Sequence, residues 1–402
     1  MVALAVAGLA LIPALIATVG PRDWADIAVA QAIGGFCGVI TGYGWGLAGP
    51  AYVARADPRT RALRYAESLR GRALVGIVML PVGAVVLSLV IDRVALVPIL
   101  ALLTTAAVAL SPAWFYVGVA RPWTLIVIDT IPRVMGTALG ILLLHLGLPT
   151  GFAFVSQLTG IGVGLVVATL TIRRQAGGAR ISVSWPRTLS VLRDQSHGMV
   201  AAGASASFAA LPVILVGLIA PAALPVYAVF DKVQRQFASA VSPVVQMSQG
   251  YVARAAPADR AKAVRRVTLV TGVLSLSGMA LFAVIGGWFL HLLVAQTITF
   301  TLVEVGILGV ALGLILFEQV FGHAVLATAG RMKPLAAATS VGAVVGLLLV
   351  SLGAASSGAL VALVGFEVGL GVTIVLEVVT DARAERTARR PRNAAHDVEL
   401  TN

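Results

Sequence analysis

The stretch Ala228–Arg254 reads AVFDKVQRQFASAVSPVVQMSQGYVAR and lies between long apolar segments. It is long enough to cross a bilayer, yet it carries Asp231, Lys232 and Arg235 toward its middle. An isolated charged side chain at the bilayer midplane costs roughly 2.5–3.5 kcal/mol by insertion scales. Such groups persist where they face an ion-pair partner, a bundle interior or a water-filled cavity. The stretch runs on into YVARAAP, and a near-copy, YVARADP, stands at Tyr52–Pro58. A basic cluster inside an apolar span and a duplicated helix end together predict a membrane protein built from two related halves.

Composition agrees. Of 402 residues, 59% are hydrophobic and 11% charged, and the mean hydropathy is +0.97. A water-soluble chain of this kind would expose far more apolar surface than water tolerates. The apolar runs are too long for barrel strands of about ten residues, so the fold class is an all-α polytopic membrane protein. Twelve spans fit, near 1–19, 28–53, 73–91, 94–118, 122–144, 150–172, 197–219, 222–250, 267–290, 299–322, 334–352 and 356–379. The first run lacks a basic approach and is expected to remain as the first helix. The single Cys37 lies in an apolar run and reads as a small buried hydrophobe.

The net charge is +12, and its placement decides what it means. Arg55, Arg59, Arg61, Arg64, Arg70 and Arg72 follow the second span, and Arg121 the fourth. Arg173, Arg174, Arg180, Arg187 and Arg193 follow the sixth, and Arg254, Arg260, Lys262, Arg265 and Arg266 the eighth. Arg331, Lys333 and the basic residues from Arg383 onward continue the series, whereas the opposite side holds only Arg22 and Arg93. Short loops biased in this way place both termini in the cytoplasm, in a multi-pass protein of the cytoplasmic membrane. They are a topology signal and no nucleic-acid face.

The halves look duplicated. AYVARADPRTRALR from Ala51 matches GYVARAAPADRAKAVR from Gly250, and Leu144–Leu165 resembles Val350–Val372. The expected organisation is a six-helix bundle over 1–178, a cytoplasmic linker over 179–196, a second six-helix bundle over 197–380 and a disordered basic tail over 381–402. Pseudo-symmetric bundles around a central cavity are the usual skeleton of alternating access.

Asp129 and Arg133 sit in LIVIDTIPRVMGTALG, and Asp231 and Arg235 repeat their spacing. At i and i+4 an acid and an arginine share a helix face. One reading makes both pairs internal ties that hold helices in register. The other makes Arg133, Lys232 and Arg235 the cationic lining of the cavity, binding a phosphate-bearing substrate while Asp129 and Asp231 restrain the arginines. Lys232 has no acid three or four residues away and is least explained by the first reading. Arg55 and Arg254 end the matched helices and read as interfacial anchors. Glu304, Glu318 and Glu367 lie within apolar runs, as an ion-coupling set or as interhelical hydrogen-bonding groups. No phosphate-binding glycine loop, metal-ligand cluster or nucleophile triad is visible, so no catalytic residue, metal, cofactor or enzyme activity is expected.

Two motifs carry a family likeness. GYGWGLAGPAYVARA at Gly42–Ala56 and SPAWFYVGVARPWTLIVIDTIPRVMG at Ser111–Gly136 resemble the second helix and the turn between helices four and five of the Wzx-type polysaccharide flippases. These belong to the multidrug/oligosaccharidyl-lipid/polysaccharide exporter superfamily. The resemblance implies two six-helix bundles around a central cavity. It also implies a flippase cargo, an anionic polyprenyl-pyrophosphate-linked oligosaccharide carried to the outer leaflet for cell-surface polysaccharide biosynthesis. A polysaccharide polymerase or glycosyltransferases would be its protein partners. The alternatives are a cation-coupled multidrug exporter and a non-transporting structural member of a polysaccharide assembly complex.

Overall fold

The computed structural model describes residues 2–177, 184–256 and 259–399, without the side chains of 47–48, 194, 197–198, 200–202, 204–205, 207–208, 357 and 384–399. Arg180 and residues 179–183 of the expected linker therefore lie outside it. Among the described residues the regular structure is entirely helical. Nine helices among the described residues are long and apolar enough to cross a membrane, which makes the chain a multi-pass membrane protein. The other three expected spans fall on the second half of the first helix and on two helices whose apolar stretches are short or charged.

The first helix, α1, runs Val2–Gly42 and breaks at Gly20, whose φ of 81° and ψ of 168° suit a residue without a Cβ. Pro21 follows and restarts the helix. The expected second span, 28–53, is not continuous. Positive φ at Tyr43 and Gly44 separates α1 from α2, Trp45–Ala54.

Helix α3, Pro58–Val90, begins well before the expected span at 73. Asp57 caps it by accepting from the Arg59 and Thr60 amides, and Pro58 occupies the first position. The Thr60 hydroxyl and amide hold the Asp57 carboxyl below its ordinary pKa. The basic stretch Arg59–Arg72 is thus helix and not loop.

Further on, α4 (Leu96–Ala107) and α5 (Ala113–Gly118) replace one expected span, with unwound backbone around Ser111 and Pro112. Helix α6, Pro122–Leu125, passes through a π turn, Ile126–Thr130, into α7, Ile131–His145. Pro132 explains the π turn. It has no N–H to donate to the Ile128 carbonyl, so the ladder slips by one residue. Helix α8, Gly151–Gln175, packs closely on α7 through glycines. A Cβ at Gly164 would lie 2.7 Å from that Ile128 oxygen, and one at Gly136 would lie 2.6 Å from the Ser156 oxygen. Small residues at such crossings let backbones approach within a membrane.

Helices α9 (Trp185–Ile219) and α10 (Leu224–Arg254) follow. Then come α11 (Arg260–Leu293), α12 (Leu302–Val320), a π turn (Phe321–Ala327), α13 (Met332–Ser357) and α14 (Ala359–Glu399). Helix α14 continues through Glu399, where a disordered tail from 381 was expected. The segment is rich in Ala and Arg, which are strong helix formers. Helices α13 and α14 turn at Gly358, φ 79°, and pack through Gly353 and Gly365, whose Cβ atoms would each meet opposing backbone at 2.6 Å. The two similar segments Leu144–Leu165 and Val350–Val372 therefore each lie at a glycine-packed hairpin.

Internal packing divides the chain into two compact units, Met1–Gln236 with Leu290–Thr299, and Phe237–Phe289 with Phe300–Asn402. The boundary falls within α10 and not at 179–196. Helix α9 is the cause, because it packs on α1 and α3 and so joins the first unit.

Candidate functional site

In the first unit the unwound segment after α4 anchors a chain of polar contacts. Arg72, on α3, is 2% exposed, and its guanidinium donates to the Ala109 and Ser111 carbonyls at 2.6 and 3.1 Å. These carbonyls lie where the helical ladder is interrupted, so a buried donor replaces their lost partners. The Ser111 hydroxyl donates to Asp129 at 2.8 Å, and the other oxygen of Asp129 accepts from Arg133 at 3.3 Å. Arg72, Ser111, Asp129 and Arg133 therefore form one connected set. Sequence reading had placed Arg72 among loop charges. Its signal was present all the same, as the last arginine before an uninterrupted apolar run on α3.

The second set lies on α10. Arg235 donates to Asp231 at 2.7 Å and also to the carbonyl of Ala209 on α9. Tyr227, one turn before Asp231, is buried on the same face. Lys232 points about 100° away and is half-buried. Among the described residues no acid pairs with it, since Asp231 is held by Arg235. Gln236, one turn on from Lys232, reaches Gly8 of α1. A Cβ there would lie 2.6 Å from the Gln236 amide nitrogen. The absence of a side chain at Gly8 makes room for this polar face, a role invisible in the sequence.

Both i,i+4 pairs are thus formed. They are not joined. Among the described residues no hydrogen bond or ion pair links Asp129–Arg133 to Asp231–Arg235, and each arginine is held by the acid of its own helix. Arg55 and Arg254 are exposed at helix ends, apart from either set.

An aromatic cluster braces the first unit. Trp45 and Trp114 lie 5.0 Å apart between ring centroids, with Tyr65, Phe115 and Tyr116 packed around them. The residues Pro112–Phe115 therefore join α2, α3 and α5.

The second unit holds the carboxylates. Glu304 is spent as a cap, because its carboxylate accepts from the Thr301 amide at 2.8 Å while the Thr301 hydroxyl accepts from the Glu304 amide. This reciprocal box removes Glu304 from the expected coupling set. Glu318 lies four residues before Gly322, and Gly322 faces Glu377, whose carboxyl oxygen would be 3.2 Å from a Cβ there. Glu377 is fully buried, and neither of its oxygens has a hydrogen-bond partner among the described residues. Sequence reading passed over it, although it is the second acid, after Glu367, in the apolar run before the tail. Glu367 is half-buried, with one unpartnered oxygen. Among the described residues no group of three or more His, Cys, Asp or Glu is placed to hold a metal.

Two solved structures share the fold. One, described as the inward-facing conformation of a multidrug resistance MATE family transporter of the MOP superfamily, matches with a TM-score of 0.71. The match covers 97% of this chain and 96% of that one at 15% identity. A crystal structure of the eukaryotic MATE transporter AtDTX14 matches with a TM-score of 0.53 at 16% identity, over 96% of each chain. No protein-family model and no curated protein matches the sequence. At these identities the likeness is one of fold.

Proposed function

We propose that this chain is an alternating-access transporter of the multidrug/oligosaccharidyl-lipid/polysaccharide exporter superfamily, and that it flips an anionic polyprenyl-pyrophosphate-linked oligosaccharide. The observation that carries this reading is Lys232, a half-buried cation on a membrane helix whose neighbouring acid is already held by Arg235. A pyrophosphate cannot enter hydrocarbon unaided, because desolvating its charge is costly, whereas the polyprenyl chain can stay in lipid. Lys232 supplies a point charge and Arg235 a planar fork for phosphate oxygens, with Asp231 holding that fork while the site is empty. Arg133, held by Asp129, supplies a second cationic position for the same cargo. The site binds moderately, because it must release its cargo on the far side. No bond is made or broken in the cargo, so the protein acts as a carrier and not as an enzyme. Glu318, Glu367 and Glu377 are the groups able to exchange a proton or cation with a driving gradient.

The test is flipping of a defined polyprenyl-pyrophosphate oligosaccharide in proteoliposomes. Lys232→Ala and Arg235→Ala are each expected to slow flipping at least about tenfold, since each removes a desolvated charge-assisted contact. Arg235→Lys should recover part of the loss, because charge survives without the fork. Normal flipping by the Arg133, Lys232 and Arg235 triple-alanine variant removes the site. Absence of flipping by folded wild type, together with export of amphipathic cations, replaces the reading with drug export.

A further inference from the structure

Helix α1 carries no hydrogen-bonding side chain between Val2 and Ala17. The first is Thr18, whose hydroxyl donates to its own helix at the Ala14 carbonyl, 2.7 Å away. Gln236 of α10 nevertheless reaches this apolar wall. A Cβ at Gly8 would meet the Gln236 amide, its nitrogen at 2.6 Å and its oxygen at 3.4 Å. Helix α1 packs on α3, α4, α7 and α9, so it meets α10 here through a side-chain tip and not through close backbone.

Among the described residues Gln236 makes no hydrogen bond, and it is half-buried. A polar group drawn out of water without a partner is costly, so an amide kept against an apolar helix suits a partner that arrives with the cargo. Pro13 of α1 has no N–H to give the Leu9 carbonyl, which frees an acceptor beside Gly8. Gln236 follows Lys232 by four residues, on the same face and about 6 Å further along the axis, roughly the length of one sugar unit. Its amide both donates and accepts, as sugar hydroxyls do, and it brings no charge for a pyrophosphate.

We infer that Gln236 is a specificity-determining residue, an inference that rests on the flippase reading. Its amide, seated by Gly8 and flanked by the Leu9 carbonyl, hydrogen-bonds the sugar next to the pyrophosphate while Lys232 holds the phosphate. The meeting of α1 and α10 therefore selects a glycan-bearing lipid over a bare polyprenyl pyrophosphate. A site built to hydrogen-bond a hydroxyl rejects the analogue that lacks it, because its own polar groups are then left unpaired. Gly8 is a positioning residue. A Cβ there meets a side-chain tip that can yield, so alanine shifts the amide without repacking backbone.

The test measures flipping of two lipids by the full chain in proteoliposomes, a polyprenyl pyrophosphate bearing one N-acetylglucosamine and the bare polyprenyl pyrophosphate. Wild type should flip the glycan-bearing lipid at least about tenfold faster, and Gln236→Leu should lower that ratio about tenfold. Gln236→Asn, with a shorter reach, should fall between the two. Gly8→Ala should lower the ratio at least about threefold with Gln236 still in place. Lys232→Ala should slow both lipids and leave their ratio within about threefold of wild type. A merely structural role for Gln236 or Gly8 slows both lipids together, so an unchanged ratio in Gln236→Leu and Gly8→Ala overturns the inference and leaves the flippase reading standing. Equal rates for the two lipids in wild type overturn it as well. No flipping of either lipid by folded wild type overturns the flippase reading itself, and this inference with it.

Discussion

Arg72 is more deeply buried than Arg133 or Arg235, yet it is tied to backbone and not to a carboxylate. Two carbonyls freed by the break between α4 and α5 accept from its guanidinium. Removing one partner from such a buried contact leaves the others unsatisfied, which costs more than the bond itself contributes. Arg72→Ala should therefore destabilise the protein by about 2–4 kcal/mol. Arg72→Lys should restore only part of this, because an ammonium lacks the planar fork that spans two oxygens. Thermal unfolding in detergent reads both effects, and an unchanged midpoint for the alanine variant would mean that water serves those carbonyls equally well. Asp129 and Arg133 were legible at this scale from spacing alone. Arg72 was legible only as the last arginine before an apolar run, and its partners were not, because they are main-chain atoms brought near only when α4 unwinds.

At the scale of elements, the α7–α8 hairpin shows how a membrane helix pair is specified by small residues. Gly160 packs against the Pro132 carbonyl so closely that a Cβ would collide with backbone, whereas a Cβ at Gly162, two residues on, would meet nothing within 4 Å. Backbone on both sides cannot yield as a side-chain tip can. Gly160→Ala should thus cost about 1–3 kcal/mol by overpacking. Gly162→Ala should be neutral or stabilising by up to about 1 kcal/mol, since alanine is the better helix former. Unfolding midpoints of the two variants, measured side by side, decide the point. Equal effects would show that the close approach of α7 to α8 does not govern stability. The same crossing fixes the first turn of α7, and with it Arg133, so Gly160→Ala should also weaken any activity that depends on that arginine.

For the whole molecule, the proposed arrangement is twelve spans with both termini in the cytoplasm. Reporter fusions after Arg72, Arg93, Arg121 and Arg174 should read cytoplasmic, external, cytoplasmic and cytoplasmic in turn. An external reading at Arg72 would sink the topology.

The sequence alone determined that this is a helical multi-pass membrane protein, because runs of apolar residues this long have no other way to satisfy their backbone in lipid. It also determined the two acid–arginine pairs, since an i,i+4 spacing brings side chains together on any helix. Only the tertiary structure decided where helices break and which polar groups meet between them. Gly20, Gly44 and Pro132 were visible as residues, but whether a glycine or proline bends, ends or merely sits in a helix depends on what packs beside it. The expected linker at 179–196 did not become the boundary of compactness, because the packing of α9 on α1 and α3 outweighs its position in the chain. Glu304 and Glu377 look alike as acids in apolar runs, yet one caps a helix and the other is buried with no hydrogen-bond partner among the described residues. That difference arises from local cap geometry in one case and from the neighbouring π turn at Gly322 in the other, neither of which hydropathy records.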